Sequence, residues 1–511
     1  MKKYLFGMVI MGLVLLSGCS SMYDGAYYEE VIYGNEEDLL GETYAQINEN
    51  DFVSTSDMPV STFSTDVDTA SYSNIRRMLN DNYLPQTNAV RIEELINYFN
   101  YGFNTPTDGG TISVTTELSV APWNPDHQLL MIGLKAEEID FEETPGNNLV
   151  FLLDVSGSMD SSDKLGLVKS SMLLLVEQLR PIDRISIVTY AGTATIVLNG
   201  GDSTDPTEIE NAINRLRAGG STAGGAGIEL AYQVAEDNFI DGGNNRIILA
   251  TDGDFNIGTS SVDQLKSFIS EKKETGVFLS VVGVGTGNIR DDIMEALADH
   301  GNGVYYYVDS ILEAEKVFIH DLSGTMLTVA KDVKLQIEFN PLNVKGYRLL
   351  GYENRVLDYE DFIDDTKDAG DLGSGHEVIA FYELIPAGSE EVIESSTYET
   401  PEDLRYSGND YIDELMSISI RFKSPEDDTS VLIQRFAYVS DFTVTPSETF
   451  RFASSVVEFG LLLRNSEYKA DANYANVLER ASEALGDDEF GYRQEFLELV
   501  QKAQHLEELL D

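Results

Sequence analysis

Between residues 146 and 322, short apolar runs alternate with longer stretches whose apolar positions recur every three to four residues. The runs cover 149–154, 184–190, 245–251, 277–284 and 304–308. Strands that are apolar at nearly every position must be covered on both faces, and the intervening stretches supply the cover. These read as helices over roughly 164–180, 206–217, 225–238, 262–273 and 291–298. The alternation predicts a doubly wound, mostly parallel α/β sheet of Rossmann-like type over residues 146–322, with 193–199 as a short antiparallel edge strand.

The pattern changes on either side. Residues 74–80 and 89–99 look helical; Val90, Leu95, Ile96 and Phe99 fall near helical spacing and read as core. Residues 111–121 and 129–136 alternate with period two, as half-buried strands do. After 322 come strand-like runs at 333–339, 348–352, 377–384, 416–422 and 431–439, separated by acidic and glycine-rich loops. With no long helix between them they predict an antiparallel β-sandwich over 323–440. The strands at 111–136 are expected to join it, which makes the α/β domain an insertion. From 441 to 511 the pattern is helical again. Ser447 follows Pro446 as a candidate N-cap, and further helices are expected near 470–485 and 492–509. The segment 56–145 reads as N-terminal helices and strands.

The N-terminus changes the picture of where the protein resides. Lys2 and Lys3 precede an apolar run from Leu5 to Leu16, followed by Leu16-Ser17-Gly18-Cys19. The run is too short to span a membrane as a mature helix and has the layout of a secretory leader over residues 1–18. Cys19 is the only cysteine, so no disulfide can form within the chain. The arrangement resembles the lipobox of bacterial lipoproteins, which implies that Cys19 is acylated and the leader cut before it. An ordinary leader with an incidental cysteine is the plainer alternative. Residues 19–55 are polar and acidic and read as a flexible tether. The expected location is the cell envelope, with the body lipid-anchored to a membrane and facing away from the cytoplasm. The chain has 88 acidic and 34 basic residues, a net charge of −54. Such a field repels nucleic acid, which excludes it as a partner.

Candidate chemistry gathers at one place. Asp154-Val155-Ser156-Gly157-Ser158 stands at the carboxyl end of the first α/β strand, where open α/β sheets bind their ligands. Two more loops should reach the same edge: Gly219 to Gly225, containing Thr222, and Thr251-Asp252-Gly253-Asp254. Together they offer oxygen donors only. Hard oxygen donors suit Mg²⁺, Ca²⁺ or Mn²⁺ rather than zinc or copper. Neutral hydroxyls leave such an ion electrophilic and able to take an external carboxylate.

Asp154-x-Ser156-x-Ser158, Thr222 and Asp252 within Thr-Asp-Gly resemble the metal-ion-dependent adhesion site of von Willebrand factor A domains. The resemblance implies a metal shell of Asp154, Ser156, Ser158, Thr222 and Asp252, the three hydroxyls coordinating directly and the two carboxylates largely through water. It extends further. Residues 61–72 and Arg91-Ile92-Glu93-Glu94 are similar to the N-terminal segment of a bacterial lipoprotein subfamily that carries such a domain. Phe436-Ala437-Tyr438-Val439 and Gly491-Tyr492-Arg493 are similar to its C-terminal domain.

Other features carry less. Asp254 reads as a solvated loop charge rather than a second acid behind the metal. Asp66-x-Asp68, with Ser64 and Ser71, is either a second cation site or a polar edge strand; it lacks the glycine and terminal glutamate of an EF-hand loop. Gly283-Val284-Gly285-Thr286-Gly287 lacks the lysine of a phosphate-binding loop and reads as a tight strand-to-helix turn. His127, His300, His320, His376 and His505 make no metal-ligand spacing, and no nucleophile elbow surrounds Ser156 or Ser158. Tyr305-Tyr306-Tyr307 reads as packing. The chain is therefore expected to be no enzyme. The leading expectation is an adhesion or interaction protein that grips an acidic residue of a protein partner through the metal. The alternative is an accessory or scaffold subunit of an envelope enzyme or assembly machine.

Overall fold

The computed structural model describes residues 41–510, except 108, 141, 143, 222–223, 254–260, 322–323, 325, 394–400, 402–403, 409, 426 and 428. The apolar runs of the central region form a six-stranded sheet. Its order is Tyr305–Val308, Val277–Val284, Asn244–Thr251, Asn147–Asp154, Arg184–Tyr190 and Ala194–Asp202. All neighbours are parallel except the last pair, so 194–202 is the antiparallel edge expected from sequence. Alternate residues of Asn147–Asp154 feed two cores. Leu149, Phe151 and Leu153 pack with helix Leu167–Val176 on one face. Val150 and Leu152 pack with helix Gly224–Asp237 on the other. The strand Asn147–Asp154 lies between Asn244–Thr251 and Arg184–Tyr190, so the topology reverses at its carboxyl end and opens a crevice there.

Two antiparallel sheets form the predicted sandwich. One orders Val53–Ser54, Val344–Leu350, Glu377–Pro386, Asn124–Ala136 and Ile112–Ala121. The other orders Val356–Leu357, Val60–Ser64, Thr328–Phe339, Glu414–Lys423 and Ser430–Tyr438. Leu130, Ile132, Leu335, Ile337 and Ile418 meet between them. Four of these strands precede residue 146, and the α/β domain is inserted between Asn124–Ala136 and Thr328–Phe339.

The outer face of the first sheet is not solvated. Leu129, Met131, Ile379 and Phe381 share a core with Trp123 and with helices from both ends of the chain, among them Ala70–Asn80, Glu448–Leu463 and Tyr492–Glu508. Glu448–Leu463 is buried over most of its circumference, and Ser447 caps it, its hydroxyl accepting from the Phe450 amide at 3.0 Å. Segments 56–145 and 441–511 are thus not separate units; they divide among the sandwich and one helical layer.

The expected tether ends earlier than residue 55. From residue 41 the chain is fastened to the body. Glu42 pairs with Arg77 at 2.9 Å, the Thr43 amide donates to the Ile289 carbonyl, and Val53–Ser54 joins a sheet. Its polar composition reads as linker because the fastening is largely polar, by backbone bonds, ion pairs and side-chain hydrogen bonds such as Asn50 to the Gly351 carbonyl, with Phe52 as an aromatic anchor against His127 and Tyr468. The leader, Cys19 and the rest of the tether lie outside the described residues.

Candidate metal site at the carboxyl edge of the parallel sheet

Asp154 is the last residue of its strand and is fully buried. Its Oδ1 accepts the Ser156 amide at 2.7 Å. Its Oδ2 is buried and takes no close hydrogen bond among the described residues, although the Tyr190 hydroxyl lies near enough to the carboxyl to favour its charged form. Burial pushes this carboxyl up to about 6; bonds from Ser156 act against that, and the charge of Asp252 adds to it. The backbone then turns so that the next two hydroxyls converge, with Ser156 Oγ and Ser158 Oγ 2.8 Å apart. Ser156 is buried and Ser158 exposed, so the pair leads from the interior to solvent.

Neighbouring loops hold this turn in place. The Gly157 amide donates to the Gly220 carbonyl at 3.1 Å, and the Gly219 amide donates to the Val155 carbonyl at 2.8 Å. The glycine-rich loop that carries Thr222 is thereby strapped to the Asp154 loop. Thr222 itself lies outside the described residues, as does Asp254. Asp252 follows strand Asn244–Thr251 and is fully buried. Gly253 after it has φ +94°, and a Cβ there would lie 2.4 Å from the Asn288 carbonyl oxygen, so the turn requires glycine.

One residue escaped the sequence reading. Lys164 Nζ donates to Asp252 Oδ2 at 2.9 Å. Helical periodicity placed a helix from 164; instead Ser162–Gly166 forms a single wide turn in which Lys164 has φ −113° and ψ −106°. The regular helix starts at Leu167, and the lysine is released toward the sheet edge. Its stem crosses Gly285, where φ is +75° and a Cβ would lie 2.4 Å from Lys164 Cγ and Cε. The only sequence signal was a lone base after Asp160-Ser161-Ser162-Asp163.

The Asp66-x-Asp68 alternatives are both replaced. Arg355 reaches Asp66 Oδ2 through Nε at 3.3 Å, Asp68 Oδ2 through Nη2 at 3.5 Å and Asp299 Oδ1 through Nη1 at 2.9 Å. Asp68 Oδ1 also accepts the Tyr305 amide at 2.8 Å. The cation here is a guanidinium 287 residues beyond Asp68 (355 − 68). Ser71 takes no part: its hydroxyl donates to the Ala89 carbonyl and its amide to Glu94. The histidines are dispersed; His127, for example, sits between Glu383 and Glu391 at 2.7 and 2.8 Å. Tyr305, Tyr306 and Tyr307 are all buried, as packing residues are.

The donors at the sheet edge suit a hard divalent cation. Asp154 presents a buried oxygen with no close hydrogen bond, the two serine hydroxyls converge beside the turn, and the donors gathered here among the described residues are oxygens, the Lys164 ammonium being a cation rather than a ligand. Asp154, Ser156, Ser158 and Asp252 are the described groups that would hold such an ion.

A six-stranded, mostly parallel sheet with this crevice at its switch point is the architecture of a von Willebrand factor type A domain, a metal-dependent protein-interaction fold whose members are generally not enzymes. Residues 148–320 match that domain family, residues 39–131 match the family described as von Willebrand factor, and residues 324–506 match "Uncharacterized protein YfbK, C-terminal". The chain belongs to the YfbK family: it is 42% identical over 468 residues to the Escherichia coli (strain K12) protein, covering 90% of this chain and 80% of that one. Among solved structures, the von Willebrand factor type A protein from Catenulispora acidiphila is 14% identical and covers 78% of this chain and 91% of its own, with a TM-score of 0.42. Proximal thread matrix protein 1 from the mussel byssus, solved with a zinc-occupied MIDAS motif, is 24% identical and covers 34% of this chain and 44% of its own, with a TM-score of 0.30.

Proposed function

We propose that this protein is an extracytoplasmic interaction protein, lipid-anchored through Cys19, that binds Mg²⁺, or Ca²⁺ or Mn²⁺, at Asp154, Ser156, Ser158, Thr222 and Asp252. Through that ion it grips an acidic side chain of a protein partner. The observation that carries the reading is the buried Asp154 carboxyl, whose Oδ2 takes no close hydrogen bond among the described residues, beside two hydroxyls 2.8 Å apart. A carboxylate whose burial raises its affinity for protons gains most from a bound cation. Ser158 is exposed, so the hydroxyl pair opens toward solvent, from which a partner would approach. The ion supplies an electrophilic point with at least one exchangeable position, which a partner carboxylate can occupy. Ion and partner then each raise the other's affinity, as linkage requires.

Titration calorimetry of the chain from residue 20 onward tests the site. Wild type should give a Mg²⁺ or Mn²⁺ binding heat that Asp154→Ala removes. The absence of heat in wild type, or equal heat in the variant, overturns the metal reading. Affinity capture in Mg²⁺ against EDTA tests the grip, which requires retained proteins to elute with EDTA from wild type and not from Asp154→Ala. Anchoring is tested separately: Cys19→Ala should leave the membrane fraction or keep its leader, and unchanged processing and membrane association would refute it.

A further inference from the structure

The sheet edge contains a cation of its own. Lys164 Nζ is 2.9 Å from Asp252 Oδ2, with the lysine side chain 12% exposed and the aspartate fully buried. The position is built rather than incidental. The wide turn at Ser162–Gly166 takes Lys164 out of the helix that follows, and the missing side chain at Gly285 leaves the channel along which the stem runs. Any side chain at Gly285 would occupy that path.

This has an electrostatic consequence for a divalent ion. Among the described residues, Asp154 and Asp252 bring two negative charges to the edge, and the serine hydroxyls bring none. With the ammonium bound to Asp252, an arriving ion meets one net negative charge instead of two, and it shares a buried carboxylate with another cation. Charges interact far more strongly in such surroundings than in water. A carboxylate supplied from outside restores the second negative charge.

We propose that Lys164 is an internal counter-cation that holds the metal affinity of the isolated site low, so that the ion is retained firmly only when a partner carboxylate completes the charge balance. The inference rests on the metal reading above and assigns Lys164 as a residue that tunes the site rather than a ligand.

Mn²⁺ alone is the probe, with free hexaaqua Mn²⁺ followed by electron paramagnetic resonance on the chain from residue 20 onward. Lys164→Met should bind one Mn²⁺ per chain at least tenfold more tightly than wild type. Lys164→Gln, which keeps a hydrogen-bond donor for Asp252 without the charge, should show a similar gain; Lys164→Arg, which keeps the charge, should stay near wild type. A second readout separates charge from misfolding. In EDTA, Lys164→Met should melt below wild type because buried Asp252 loses its ammonium, and saturating Mn²⁺ should raise its melting temperature by more than it raises that of wild type. Equal Mn²⁺ affinities in wild type and both neutral variants, with binding still abolished by Asp154→Ala, would overturn the role of Lys164 while leaving the metal site standing. Weaker binding in the neutral variants would overturn it as well, by making the lysine a support for the ion. No Mn²⁺ bound by any of these chains would overturn the metal reading and this inference together.

Discussion

Buried carboxylates gather in two regions of this molecule, and the regions balance them differently. Where the α/β domain meets the sandwich and the helical layer, three arginines each hold three acids. Arg76 binds Asp309, Glu313 and Glu495 at 2.5, 2.7 and 3.1 Å; Arg91 binds Glu94, Asp291 and Glu295 at 3.0, 3.1 and 2.5 Å; Arg355 binds Asp66, Asp68 and Asp299. A guanidinium has five donors in a rigid fork and does not deprotonate, so it keeps a fixed positive charge inside a buried cluster. At the carboxyl edge of the parallel sheet the corresponding charge is one lysine on Asp252, while Oδ2 of Asp154 takes no close hydrogen bond among the described residues and lies beside neutral hydroxyls. The first arrangement is closed and holds domains together; the second has capacity for an exchangeable ion.

The contrast is broken most severely by removing an arginine. Arg91→Met would leave Glu94, Asp291 and Glu295 buried without their shared cation. Losing one partner of a buried ion cluster costs about 3–5 kcal/mol, so urea unfolding should show a loss of that size if two-state behaviour holds. A loss below about 1 kcal/mol would mean that the junction does not depend on its guanidinium groups.

A smaller effect is expected at Asp371, in the same junction. This residue lines a cavity of about 190 Å³ together with Arg246 and Arg355. Burial pushes its carboxyl up to about 7, partly opposed by the Asp332 amide that donates to it. A raised acid contributes its stability below the unfolded value of 3.8 and loses it as pH rises through about 7. Asp371→Asn removes the charge that must be buried at high pH. Its stability relative to wild type should therefore grow between pH 4 and 8 and level off above, reaching no more than about 4 kcal/mol. A difference that stays flat across this range would mean that the carboxylate is charged at no cost.

The smallest effect on folding belongs to the open region. Ser158→Ala removes an exposed hydroxyl and should change stability by less than about 0.5 kcal/mol. Its Mg²⁺ affinity should nevertheless fall about tenfold, equivalent to about 1.4 kcal/mol, in the same calorimetric titration used for Asp154→Ala. Unchanged affinity would remove Ser158 from the metal shell and sharpen the site to Ser156 and the aspartates.

Legibility followed the range of the interactions involved. The five expected strands of the parallel sheet appear, because two-faced burial imposes continuous apolar runs regardless of what lies elsewhere. Strand ends placed Asp154 and Asp252 on one edge for the same reason. Periodicity puts Lys164 in a helix because it does not see a wide turn, which depends on the contacts its stem makes at Gly285. Residues 41–55 read as tether because a segment fastened by polar contacts needs little apolar content.

What the amino-acid sequence determined by itself is therefore local: the period of each element, the Ser447 cap, the glycine that Thr-Asp-Gly needs at φ +94°, and the oxygen donors at a strand end. What only the tertiary structure decided is which distant charges meet. Arg355 comes to Asp66 and Asp68, Arg76 to Glu495, and Lys164 to Asp252 across separations of 88 to 419 residues. The physical reason is that side-chain period and turn geometry are set by neighbours along the chain, whereas an ion pair forms only where the sheet order and the domain insertion bring its partners within a few ångströms.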